Sequence, residues 1–103
     1  MIVQSEFDLR QVRKMLQCIE EFMHGKMSIG KLYGNLEFLW HQLENSDPES
    51  ILPIHLIHEL EILNAGLLES LSTYQETILE TNRVVRKIKV LLERFNLNHP
   101  NDS

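Results

Sequence analysis

The sequence predicts an all-α fold, an antiparallel four-helix bundle. Three observations carry that expectation. Apolar residues recur at 3–4 spacing along four separate stretches. Helix-capping residues and glycine or proline breaks separate those stretches. No alternating strand pattern and no glycine-rich phosphate loop competes with them. The chain has 103 residues, 43% hydrophobic and 24% charged, which suits one globular domain able to build a core without staples. Residues 1–97 are expected to form the helical bundle domain, and 98–103 a flexible C-terminal tail.

The first helix is expected from about Glu6 to His24, with Ser5 as N-cap and a stripe of Leu9, Val12, Leu16, Ile19 and Met23. Gly25 is the natural stop, since it accepts the left-handed backbone that ends many helices. The second helix is expected from Ile29 to Asn45, capped by Ser28. Its stripe is Ile29, Leu32, Leu36, Leu39 and Leu43, widened by Tyr33 and Trp40, and Asn45-Ser46-Asp47-Pro48 breaks it. For the third helix Ser50 is read as the cap, after a short turn over Asp47–Glu49, with Pro53 in the first turn, where a missing N–H is tolerated. Its stripe is Leu56, Leu60, Leu63, Leu67 and Leu71. Thr73-Tyr74-Gln75-Glu76 has the form of a capping box and starts the fourth helix, the alternative being a continuous helix through Ser72; its inward positions are Tyr74, Ile78, Thr81, Val85, Ile88, Leu92 and Phe95. From Asn96 onward, with Pro100, the chain reads as frayed.

Several function classes find no support in the residues. The single cysteine, Cys18, allows no internal disulfide and no cysteine-based metal cluster. It sits in an apolar stripe with no base beside it, so an inert buried thiol is expected. His55 and His58 are followed by Glu59 and Glu61, but the string His-Leu-Ile-His-Glu has neither zincin spacing. Glu21 and His24 have the Glu-x-x-His spacing of di-iron bundles, yet occur once, where such sites need two copies and further carboxylates. No enzyme activity, metal or cofactor is expected. Arg83, Arg86, Lys87, Lys89 and Arg94 make the fourth helix basic, which suits its dipole, and a net charge of −5 opposes direct binding to nucleic acid. No basic leader with an apolar core and no run of ~18 apolar residues is present, so a cytoplasmic protein with no membrane contact is expected.

The charge distribution is more informative. Between Leu32 and Asn82 there is no Lys or Arg, and those 51 residues hold nine acids: Glu37, Glu44, Asp47, Glu49, Glu59, Glu61, Glu69, Glu76 and Glu80. All ten basic residues lie outside this window. A one-sign field can steer an oppositely charged partner. Alternatively, the acids pair with cations of the first and fourth helices across the bundle. With Leu36 facing inward, Phe38 points about 160° away at 100° per residue, on a row with Gly30 and Gly34 that forms a notch. With Leu60 inward, Ile62 points outward, His58 and Glu69 share its face, and Glu59 and Glu61 flank it. An apolar residue ringed by acids has the layout of an interface centre and rim.

The segment from Phe22 to Leu39 resembles the small helical immunity proteins of bacterial polymorphic-toxin and contact-dependent growth-inhibition systems. The shared features are Phe22-x-x-Gly25, the small polar cap Ser28, and Leu32 followed by Leu36-Glu37-x-Leu39. The resemblance implies a protein that binds and blocks a cognate toxin, often a nuclease domain, whose basic groove an acidic surface would complement. The expected contacts are Phe38, Asp47, Glu49, His58, Glu59, Glu61, Ile62 and Glu69, on a monomer or weak dimer. The competing expectation is a homodimeric regulatory or scaffolding protein that self-associates through Phe38 and Ile62.

Overall fold

Proline and capping residues divide the chain as local chemistry dictates, with one division the periodicity does not reveal. A computed structural model describes residues 3–44, 47–69 and 73–98. They form α1 (Val3–Met23), α2 (Ile29–His41), α3 (Pro48–Ile51), α4 (Ile54–Leu68) and α5 (Tyr74–Asn98), with no strand among them. Leu71 and Ser72, the Asn45-Ser46 half of the expected break and residues 99–103 of the expected tail lie outside the described residues.

The caps follow the sequence closely. Gly25 takes φ +74°; its N–H donates to the Phe22 carbonyl at 3.0 Å, and the Lys26 N–H to the Glu21 carbonyl at 2.8 Å. These two bonds close α1 in a Schellman turn. The Ser28 hydroxyl accepts the Lys31 N–H at 3.2 Å at the start of α2. At α5 the capping box is reciprocal: Glu76 N–H donates to Thr73 Oγ1 at 3.1 Å, and Thr73 N–H to Glu76 Oε1 at 3.3 Å.

Four boundaries differ from expectation. The helix α1 starts at Val3, so Ser5 lies inside it; nothing in Val3-Gln4 stops a helix. The second helix ends at His41 rather than Asn45. Gln42 and Leu43 donate to Leu39 and Trp40 in tighter i→i−3 bonds, and the Glu44 N–H goes to Asp8 Oδ1 at 3.1 Å. The expected third helix is split. Asp47, not Ser50, precedes the single turn of α3, and Pro53 stands outside α4 rather than in its first turn. Proline disfavours the helical conformation of the residue before it, and Leu52 is extended, with φ −152° and ψ 112°. Finally, α5 runs through Asn96, which accepts the Arg13 Nε–H at 3.0 Å and so is held against α1.

The core forms where the stripes meet. α1 packs on α2 and α5, and α4 packs on the same two helices. Val12, Met15, Ile19, Leu32, Leu36, Ile57, Leu60, Ile88 and Leu92 are completely buried, each contributing roughly 1.5–3 kcal/mol of transfer free energy. Trp40 Nε1–H donates to the Leu52 carbonyl at 2.8 Å, tying α2 to the link between α3 and α4. Leu63 and Leu67 are only partly buried, so the stripe of α4 is best covered over its first half. Thr81 is fully buried, and its hydroxyl has no hydrogen-bond partner.

Candidate protein-binding surfaces

Burial of Leu56, Ile57 and Leu60 fixes the rotation of α4. That rotation turns His58, Glu61, Ile62 and Glu69 into solvent, and Ile62 is 69% exposed. The helix carries no Lys or Arg. Glu69 stands at its C-cap, the negative end of the helix dipole, where a carboxylate is electrostatically disfavoured. Glu59 is half-buried on the flank, and His55 Nε2 lies 4.0 Å from its Oε2. The predicted cluster of Glu61, Ile62, His58 and Glu69 therefore shares one open helix face, while Glu59 turns towards α5.

Other acids of the cation-free window have local tasks. The Glu49 carboxylate accepts the Ile54 N–H at 3.1 Å and 3.4 Å, supplying α4 with the cap that Pro53 cannot. Glu76 belongs to the capping box, and Glu80 pairs with Arg83 one turn on at 2.9 Å. Asp47 is exposed at the start of α3, where its side chain makes no cap hydrogen bond. Among the described residues no ion pair links a window acid to α1. The ion pair there between helices is Lys89 with Glu20 at 4.0 Å, and Glu20 precedes the window. The expectation that these acids are neutralised across the core finds no such pair in the described residues.

Phe38 is 64% exposed, as the helix rotation requires, but its surroundings differ from the expected notch. Gly34 is open, whereas a Cβ on Gly30 would lie 3.2 Å from Asn64 Nδ2. Gly30 thus faces α4 rather than solvent. Phe38 instead lines a groove of about 510 Å³ between α1 and α2, together with Lys14, Gln17, Cys18, Glu21, Met27 and Lys31. Its charged neighbours include two lysines, so it belongs to a different surface from Ile62. The α1 bank of this groove could have been found in the sequence, since Lys14, Gln17, Cys18 and Glu21 follow 3–4 spacing; its pairing with Phe38 could not.

Cys18 is half-buried rather than buried. Burial first, and then the nearby Glu21 carboxylate, push its thiol above the ordinary value, with a hydrogen bond from Asn35 opposing them. The thiolate is the nucleophilic form, so the site disfavours reactivity. Among the described residues no three His, Cys, Asp or Glu side chains are grouped to hold a metal, and no helix is long and apolar enough to cross a membrane. Comparison with protein-family models, with curated proteins and with solved structures finds no match.

Proposed function

We propose that the chain is an immunity protein that acts by binding, not catalysis, and neutralises a cognate toxin with the acidic outer face of α4. The scaffold is an antiparallel four-helix bundle, with α3 as a one-turn insertion, working in the cytoplasm. The partner is a nuclease domain whose basic active-site groove accepts that face. One observation carries the reading: Ile62 stands exposed on a helix without cations, beside Glu61 and Glu69, neither of which has an ion-pair partner among the described residues. An exposed apolar residue sharing its helix face with two unneutralised acids suits a basic surface with an apolar socket.

Ile62 is the anchor, and anchors of this kind can each be worth ~2 kcal/mol or more. The acids steer, raising the association rate roughly 10–10³-fold at low salt. Co-expression with the toxin domain encoded beside this chain tests the reading. Protection is expected. Glu61→Lys with Glu69→Lys should slow association most at low salt, and Ile62→Asp should shorten the lifetime of the complex. Cell death despite stable, folded protein would refute the immunity function. Protection and rates unchanged in the three substitutions would move the contact away from α4.

A further inference from the structure

A second groove lies between α4 and α5, on the side of the molecule opposite the α1–α2 groove. Its volume is about 540 Å³. Leu56, Val90 and Leu91 make it apolar, His55 and Glu59 form the α4 bank, and Arg86 and Lys87 form the α5 bank. Val90 is 52% exposed; Leu79 and Leu97 of the same helix are exposed too, but Val90 is the one that lines this groove. The two banks are unsatisfied in complementary ways. Among the described residues neither Arg86 nor Lys87 forms an ion pair, and the one partner of Glu59 is His55 on its own helix. The neighbouring Lys89 is already directed to Glu20 of α1. Opposite charges thus line the two banks of one groove without closing on one another.

We propose that this groove is the contact surface for a second copy of the chain, related by a two-fold axis parallel to the groove. Two-fold symmetry requires a surface to complement itself, and the bank charges choose among the ways of doing so. An axis lying in the contact plane but across the helices would set α4 on α4, acid against acid. An axis along the groove sets α4 of one copy on α5 of the other. Glu59 then faces Arg86 and Lys87 of the second copy, and the same contact repeats on the other side of the axis. Val90 of each copy meets the apolar floor of the other, which removes four exposed or half-exposed apolar side chains from water in the dimer, Val90 and Leu91 twice. A wholly basic or wholly acidic partner would satisfy one bank and oppose the other; the chain itself satisfies both. The contact is confined to two helices, of which α4 is about 22 Å long at 1.5 Å per residue, so association is weak and depends on concentration. It leaves the Phe38 groove open, and it does not rest on the immunity reading.

Sedimentation equilibrium of the full chain, from micromolar to near-millimolar concentration, tests the assignment. The mass should rise towards twice that of the chain, more steeply at low salt. Glu59→Arg alone, and Arg86→Glu with Lys87→Glu alone, should each raise the dissociation constant more than tenfold while circular dichroism stays helical. Mixing these two variants should restore a dimer, because each interface then holds one wholly basic and one wholly acidic face. Val90→Asp should abolish association without altering helicity. A chain that stays monomeric throughout, or variants that remain monomeric when mixed, overturns the proposal. So does a dimer indifferent to both reversals but lost on Phe38→Asp or Ile62→Asp. A monomer whose Val90 methyl resonances shift on titration with decanoate also overturns it, by assigning the groove to an amphiphile. Failure here leaves toxin protection untouched, and failure of protection leaves the dimer standing.

Discussion

Replacing Thr81 by valine should stabilise the protein. Thr81 has no exposed surface, and its hydroxyl has no partner. A buried donor or acceptor left unmade costs about 1–3 kcal/mol. Valine keeps the branched shape and the helical rotamer while exchanging the hydroxyl for a methyl, and the neighbours Val84, Val85 and Ile88 are buried and apolar. The expected gain is about 1–2 kcal/mol, which for a chain of this length raises Tm by about 4–8 °C per kcal/mol. Urea unfolding followed by circular dichroism should show a higher midpoint at unchanged m. Thr81→Ser is the control. It retains the orphan hydroxyl and deletes a buried methyl, so it should cost about 0.5–1.5 kcal/mol. A lower or unchanged midpoint for Thr81→Val would show that the hydroxyl is satisfied in solution and would refute the reasoning.

Two local features give further expectations. Thr73→Ala removes one half of the reciprocal cap on α5 and should destabilise the fold by about 1 kcal/mol, measurable in the same urea titration; Thr73→Asp should recover most of it. Cys18 should label slowly with a thiol reagent at neutral pH, since burial and the Glu21 charge hold it protonated. Its rate should climb only as the pH rises past the range of an ordinary thiol, and Glu21→Gln should shift that rise to lower pH; a rate matching that of a free cysteine would contradict the assignment.

What could be read from the sequence is what short-range chemistry decides. Ser28, Gly25 and the Thr73–Glu76 box act over three or four residues, and each does in the structure what its residue type favours. The exposure of Phe38 and Ile62 follows from helix rotation alone. The structure departs from the expected boundaries mainly where a distant residue decides. The end of α2 depends on Asp8, 36 residues earlier, which takes the Glu44 N–H. Gly30 could be placed on a flank of α2, but that Asn64 fills the space beside it depends on how α2 and α4 meet. The division at Pro53 was within reach, because the constraint falls on Leu52 rather than on the proline's own missing N–H. Of the surface, the open face of α4 was legible as a pattern. The two grooves were not, because each depends on which residues of two neighbouring helices come together, and spacing within one helix does not encode that.

The bond from Trp40 to the Leu52 carbonyl also makes the protein its own optical probe. Trp40 is the one tryptophan in the chain, so all indole emission comes from the seam where α2 meets the α3–α4 link. The indole is partly shielded and fully engaged there, and loss of that seam would expose it to water and move its emission to the red. Emission therefore follows the docking of the α3–α4 link onto α2, whereas ellipticity follows the helices wherever they are. If the emission shifts red before ellipticity falls during unfolding, the helices have separated before they melt, and no label is needed to see it.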